Sequence, residues 1–543
     1  MTAPGTDFDL VDDPWILALD TAGKPCTLTL RGALHRADEI STLTGEVPTQ
    51  VFAILRLLLA VLRRSIHERT EPTYEIWSGL WTSDTLPIAE IDDYLGKHAG
   101  RFRLFDPDAP FFQVAGLRSD KDAVSSLDRL IADVPNGEKY FTTRAGASID
   151  RIGFAEAARW LVHAQAFDPS GIKTGAVGDR RVKGGKGYPI GVAWTGNLGG
   201  VFLEGTTLRE TLLLNLVLRD INSERFSIDD RPAWERDPTG PGAVEGRRPA
   251  GPADLCTWQS RRIRLVHNQT EVTGVVLCNG DALEPFNWQH LEPMTGWRYS
   301  EIQSKKARET RHYPITHDPE RGLWRGFTSL VRQIGNTGST EGRPIAPALL
   351  EWACYLIDEG VLNEAHPMRL HAIGMQYVNN QSVVGDIVDD TLGFRAALLA
   401  SNPDLRVTAI DAVQVSDSAV DTLGALAANL ALAAGGVPDG ARRRAREHGF
   451  FALEHPYRQW LAALLPEGNT ETYGQHWQRQ VRQVIETIGT DLIESAGRPA
   501  HLGRVVGERY LDASLASIWF YGRLKKLLPA AYLGGTERGR NIA

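Results

Sequence analysis

Past residue 400 the apolar residues fall into helical register four times in succession, and four such segments with short connections leave little alternative to an antiparallel bundle. Ser416-Asp-Ser reads as the N-cap of the first, whose apolar positions Val420, Leu423, Ala427 and Leu430 share a face until Gly435-Gly436 stops it. The second spans about 440–465 (Phe451, Leu453, Tyr457, Trp460, Leu461, Leu464) and the third about 471–496 (Trp477, Val481, Val484, Ile488, Leu492). The fourth spans about 502–528 (Val506, Tyr510, Leu511, Leu515, Ile518, Leu524).

The preceding four hundred residues have a different character. Phe8–Leu19 and Cys26–Leu30 read as two short strands around a turn, followed by a helix from Pro48 to Ile66. From about 140 to 330 short β-like pieces, among them Ile263–Val266 and Val272–Leu277, alternate with Gly/Pro-rich loops, and one leucine-rich helix runs from Leu208 to Val217. Asp229 to Asp254, dense in Pro, Gly and Arg, reads as a surface loop. With 543 residues the chain exceeds one ordinary core, and the change of pattern divides it at 1–400 and 401–543.

Composition excludes several classes. A hydrophobic share of 42% with 23% charged residues is globular rather than disordered. The longest apolar run, Val51–Leu62, is too short to span a bilayer and contains Arg56, so it reads as a buried helix and no membrane partner is expected. The N-terminus lacks a secretory pattern, and four scattered cysteines (Cys26, Cys256, Cys278, Cys354) read as reduced thiols of a cytoplasmic protein. A net charge of −8 argues against coating nucleic acid with the whole surface but permits a local basic patch.

No catalytic signature emerges. Gly178–Gly187 fails as a phosphate loop because Arg180 and Gly187 stand where a Walker A motif needs Gly and Ser/Thr. His312, His366, His371 and His448 lack metal-ligand spacing, there is no G-x-S-x-G elbow, and no cofactor is called for. A soluble hydrolase or transferase with an unfamiliar site stays open as the alternative, as does a purely structural scaffold.

Two polar stretches stand out. Gly171–Gly187, "GIKTGAVGDRRVKGGKG", holds six glycines and the cations Lys173, Arg180, Arg181, Lys183 and Lys186. Glycines such as Gly175 and Gly178 let a backbone approach a ligand closely, and the cations suit phosphates, although a solvated loop has the same composition. Gln376–Val384, "QYVNNQSVV", places Asn379, Asn380 and Gln381 between β-branched pieces; these amides cannot do acid–base work but can read or wedge against a hydrogen-bonding surface, or cap their own turn. Lesser basic clusters are Arg261-Arg262-Ile-Arg264, Lys305-Lys306-Ala-Arg308 with Arg311, and Arg442–Arg446.

In order, "LVDDPWI" (Leu10–Ile16), "PFFQ" (Pro110–Gln113), "LRETLLLN" (Leu208–Asn215), "RPAW" (Arg231–Trp234), "WQ" (Trp258, Gln259) and "YVNNQS" (Tyr377–Ser382) run nearly end to end. With this set the chain resembles the CasA family, the large subunit of the type I-E CRISPR Cascade complex. The resemblance implies an α+β protein: a large mixed α/β N-terminal domain followed by a C-terminal four-helix bundle. It implies a non-catalytic subunit of an RNA-guided surveillance complex that binds double-stranded DNA. Such a subunit recognises the protospacer-adjacent motif from the minor groove, promotes strand separation and R-loop formation, and helps recruit a helicase–nuclease. Its partners are then target duplex, the guide-RNA complex with its other subunits, and that effector.

By the same resemblance the glycine loop (Lys173, Gly175, Gly178, Arg180, Arg181, Lys183, Lys186) approaches the motif, and Gln381 after Asn380 is the wedge. An aromatic near Phe141 matches a position engaged with nucleic acid. A lysine finger of some members falls near Asn279, where no lysine stands; Lys305 or Lys306 substitutes only if the chain folds back. The cysteine cluster of some members is missing.

Overall fold

The computed structural model describes residues 8–134, 147–335 and 342–532. Its packing divides the chain into two units, one of residues 1–321, 333–361 and 368–391, the other of 322–332, 362–367 and 392–543.

The first unit opens with β1 (Ile16–Asp20), β2 (Pro25–Leu28) and β3 (Ile40–Leu43), in the antiparallel order β2-β1-β3. The expected turn is set by Asp20, whose Oδ1 accepts from the N–H groups of Ala22 and Lys24 while Gly23 takes a left-handed φ of 76°. Helix α1 (Pro48–Ser65) starts on a proline at its first turn and is buried nearly all round. Its one mid-helix charge is satisfied inside the core. Arg56 donates from Nη1 and Nη2 to Glu292 Oε1 and Oε2, both at 2.7 Å, and Glu292 also accepts from Trp194 Nε1 at 3.0 Å and Met294 N at 3.2 Å. Helix α2 (Thr73–Thr82) follows.

Beyond β4 (Ile152–Gly153), helix α3 (Phe154–Phe167) carries Gln165, whose amide brackets the main chain of Arg261 by donating to its carbonyl at 3.1 Å and accepting from its N–H at 2.9 Å. Two short strands, β5 (Lys173–Thr174) and β6 (Lys186–Gly187), close the glycine loop into a hairpin. Then come β7 (Gly200–Glu204), a helix over Leu208–Leu214, and helix α4 (Pro252–Cys256). The expected β-like pieces are one antiparallel pair, β8 (Arg261–His267) and β9 (Glu271–Asn279), in a sheet of order β4-β9-β8. Two long strands, β10 (Pro367–Val378) and β11 (Val383–Arg395), add to β7 in the order β11-β10-β7.

Asp229–Asp254 is irregular and exposed in its middle, as its composition suggests, but it is anchored in the interior at both ends. Asp230 is buried and accepts from the N–H groups of Ala253 and Asp254 at the start of α4, while Asp254 is buried against Arg236 and Arg247. Its order comes from charge pairing, which leaves no periodic trace.

The short family motifs are mostly core. Trp234 Nε1 donates to the Tyr94 hydroxyl at 2.7 Å and its ring packs on Phe102. Gln113 donates to the Leu104 carbonyl and accepts from Leu265 N, and Trp258 Nε1 donates to the Asp281 carbonyl. Asn215 both donates to the carbonyl and accepts from the N–H of Leu203.

In the second unit α5 (Asp404–Ala433), α6 (Pro438–Ala462), α7 (Thr470–Glu494) and α8 (Ala513–Leu527) form the four-helix bundle. Trp324, Tyr457, Trp460 and Trp477 make an aromatic cluster in its core. Two helix ends depart from expectation. Ser416 is no N-cap: it is buried in mid-helix with its hydroxyl on the Ala412 carbonyl, because apolar Leu405, Ala409, Ile410 and Val413 carry the helical face back to Asp404. The fourth helix starts only at Ala513, capped by Asp512, and residues 504–511 form a β-hairpin that turns at Gly507 (φ 62°). Phe451 and Ile518, expected in the bundle core, are 79% and 66% exposed.

His163 on α3 is buried with Nε2 2.9 Å from Thr49 Oγ1, and burial pushes its imidazole down to about 4. A depressed folded value means that the unfolded chain binds the proton first, so this stabilisation is complete above the ordinary histidine pKa near 6.5 and is lost as pH falls toward 4. The linked loss is about 3 kcal/mol by pH 4. His163→Gln is expected to flatten the acid limb of a urea-unfolding series by about that amount; an unchanged limb refutes the assignment.

Among the described residues no helix is long and apolar enough to cross a membrane, and all four cysteines are free.

Candidate nucleic-acid interface

Within the loop that β5 and β6 close, Lys183 and Lys186 are joined by a two-residue turn, Gly184-Gly185, with φ of 59° and 72°. Positive φ at both positions is the mirror-image turn that matches strand twist, and it favours glycine. The turn sets Lys183 opposite Lys186: each donates its N–H to the other's carbonyl, at 3.1 and 3.2 Å, and both side chains are exposed. Like charges directly opposite one another disfavour the hairpin in isolation and suit an anionic partner. Gly175 is buried, and a Cβ there would lie 2.5 Å from Val182 Cγ1, so this glycine lets the loop close on itself. Gly178, at φ 94°, makes an exposed turn beside Pro241.

Three of the five loop cations point outward, and two do not. Arg180, Lys183 and Lys186 are exposed. Lys173 is only 13% exposed, its Nζ 2.6 Å from Asp168 Oδ2, and Arg261 Nε reaches that same oxygen at 2.5 Å. Its charge is committed to an internal carboxylate, so the expectation that Lys173 meets phosphate is corrected. Arg181 is also a clasp: it grips Asp179 through Nε and Nη2 and donates to the carbonyls of Asn279 and Gly280. With 38% of its side chain exposed it is at most a partial contact. Burial opposes the charge on Asp168, but the Lys173 and Arg261 cations hold its carboxyl below the usual carboxylate range.

The amide run is the β10–β11 turn. Asn379, Asn380 and Gln381 are exposed, and all three take left-handed backbone, at φ of 51°, 57° and 64°. Such a conformation costs about 1–2 kcal/mol per L-residue, less for asparagine, so three in succession require support. Ser382 N–H donates to the carbonyls of Val378 and Asn379, and its hydroxyl donates to the Asn379 carbonyl. Among the described residues none hydrogen-bonds the side chain of Asn380 or Gln381. The bland alternative, amides capping their own turn, is not what these two side chains do.

The two loops, some two hundred residues apart in sequence, are fastened at their bases. Ser170 N–H donates to the Gln381 carbonyl at 2.9 Å, and Gly171 lies against Ser382. Tyr377 donates its hydroxyl to the Phe167 carbonyl at 2.7 Å. Asn279, the position without a lysine, is buried and donates Nδ2 to the Tyr188 carbonyl at 2.7 Å, which pins the exit of the glycine hairpin. Asp168, Ser170, Tyr377 and Asn279 therefore build the site; sequence reading missed Asp168 and Ser170, and it named Tyr377 only within a family motif and Asn279 only as the place of the absent lysine. Tyr188, 55% exposed beside the basic hairpin, was missed as well, although an aromatic directly after "KGGKG" is a signal that was there to use.

Other expected contacts fall elsewhere. Arg261 and Arg262 are buried and paired with Asp168 and Asp281, and Arg264 donates to the Leu117 carbonyl, so this basic cluster is internal. Lys305 is exposed on the helix Glu301–Ala307 but paired with Glu301, and Lys306 beside it is exposed. Arg442, Arg443 and Arg444 are exposed on the first turns of α6. Phe141 lies outside the described residues.

Comparison with known proteins agrees over the whole length. The chain is 44% identical to Thermobifida fusca Cse1, whose crystal structure superposes with a TM-score of 0.91 over 98% of this chain and 100% of that one. A curated CRISPR-associated protein CasA/Cse1 of Thermus thermophilus is 29% identical, covering 98% of this chain and 97% of its own. A chain of a CRISPR RNA-guided surveillance complex, 18% identical, shares the fold at a TM-score of 0.64 over 90% of this chain and 99% of that one. The sequence profile described as CRISPR-associated protein Cse1 matches residues 9–488, and on that extent of agreement this chain belongs to the CasA/Cse1 family.

Proposed function

We propose that this protein is the large subunit of a Cascade-type RNA-guided surveillance complex, and that its first unit recognises a short motif in double-stranded DNA and begins strand separation. The observation that carries this reading is the fastening of an exposed amide turn to an exposed cationic glycine hairpin through Ser170 and Gln381. Arg180, Lys183 and Lys186 meet the phosphates. The bare Gly184-Gly185 turn is narrow enough to approach a minor groove, where the degenerate acceptor pattern lets one reader tolerate several motif sequences. Gln381, held in left-handed backbone at the tip, enters beside the motif. A neutral amide can replace base-pair hydrogen bonds there without the desolvation cost of a charge. No bond is made or broken in this step, and the remaining specificity passes to guide pairing. A helicase–nuclease is recruited afterwards by the assembled particle.

The test is duplex binding by the reconstituted complex across a salt series. Reversing Arg180, Lys183 and Lys186 to glutamate is expected to flatten the slope of log K against log salt by about 2–3, since each lost phosphate contact removes about 0.9. Gln381→Ala should leave that slope intact and slow strand opening, read by a base-analogue fluorophore next to the motif. An unaltered slope removes the hairpin from the interface; unaltered opening removes the wedge.

A further inference from the structure

A second cationic site lies away from these loops, where the C-terminal end of α1 faces the segment 218–230. The walls of this cleft, of about 130 Å³, include Arg63, Arg64, Arg69 and Arg225. Two of these charges are spent. Arg64 makes a bidentate pair with Glu235, Nε to Oε1 and Nη2 to Oε2 at 2.7 Å, and Arg69 pairs with Glu90 at 2.5 Å.

The other two make no direct ion pair among the described residues. Arg63 lies 5.0 Å over the Phe226 ring, and Arg225 donates Nη1 to the Arg69 carbonyl at 2.8 Å. Asp230 lines the same cleft: its oxygens accept from the N–H groups of Ala253 and Asp254, and its charge acts on Arg63 without a direct ion pair. The helix macrodipole explains why cations are tolerated at the last turn of α1. It does not explain Arg225, which a separate segment brings to the same space.

We propose that this cleft binds a terminal phosphate group, with Arg63 and Arg225 as its direct ligands. The Arg63 and Arg225 guanidiniums exceed the one carboxylate of the lining, Asp230, by one charge, and their planar donors suit the oxygens of a phosphate monoester, which carries about −1.5 to −2 at neutral pH. A cleft of this size is several times what one water needs. Burial pushes the Arg63 guanidinium down, a cost that a bound anion offsets. At the rim Ile228 is exposed and Phe226 half-buried, an apolar border that fits the sugar and base of a nucleotide. The proposal is independent of the DNA-recognition reading and survives its failure.

Titration calorimetry of the full chain with inorganic phosphate and, separately, adenosine 5′-monophosphate tests it. Saturable binding of either is expected, weakened about tenfold or more by Arg225→Ala and by Arg63→Gln, and unaffected by Lys306→Ala. Arg225 is exposed, so its variant decides should Arg63→Gln fail to fold. Tighter binding of the nucleotide would show that the apolar rim is used; equal binding would show that phosphate alone is held. No saturable binding of either probe, or equal affinity in the parent and Arg225→Ala, overturns the proposal.

Discussion

Glu292→Gln is expected to destabilise the first unit by about 3–5 kcal/mol, because it removes the carboxylate from a pair that is wholly out of water and leaves the Arg56 cation in the core. Glutamine can still accept from Trp194 or Met294, but it cannot compensate a charge. Replacing both partners with methionine should recover much of the loss, since the buried charge is then gone. A residue of about 1–2 kcal/mol should remain for the Trp194 and Met294 N–H groups left without their acceptor. Urea unfolding followed by tryptophan fluorescence reads both. A Glu292→Gln midpoint within experimental error of the parent would show that water reaches this pair.

Asp168→Ala is expected to uncouple the glycine hairpin from the amide turn. Lys173 then has no anion and shares its pocket with the Arg261 cation, a situation worth about 3–5 kcal/mol locally. The response is for Lys173 to leave, which pulls β5 from its seat and slackens the Ser170–Gln381 fastening. If a preformed site falls to one part in a hundred of the population, apparent duplex affinity falls about 100-fold. Hydrogen exchange should rise in peptides covering 168–187, and motif-dependent binding by the assembled complex should weaken together with it. Unchanged exchange with unchanged affinity would show that the hairpin holds itself. The native Asp168 carboxyl is depressed, so its contribution is present above the ordinary aspartate value near 3.9 and lost as pH falls through the folded value; the fastening is acid-sensitive only below about pH 4.

Sequence legibility differed by element for physical reasons. The bundle was readable because helical period survives in any sequence that buries one face of a helix. Its last helix was overextended at the N-terminal side because Val506, Tyr510 and Leu511 mimic that period while belonging to a hairpin that turns on Gly507. The β8–β9 pair was visible from its β-branched runs, and the amide turn was visible as polar residues set between the apolar ends of β10 and β11. Composition misled at the charged positions. Lys173, Arg181, Arg261 and Arg262 look like phosphate ligands in a one-dimensional count, yet each is held by an aspartate.

What the amino-acid order determined alone is therefore local: which stretches bury a face, where glycine permits a mirror-image turn, and which polar run has no apolar periodicity to bury it. Which cations face outward was settled only by tertiary structure, through Asp168 meeting Lys173 and Arg261, and Asp281 meeting Arg262. The reason is that a buried charge needs compensating partners, and Asp168 and Arg261, over ninety residues apart, become neighbours only when the chain has closed around them.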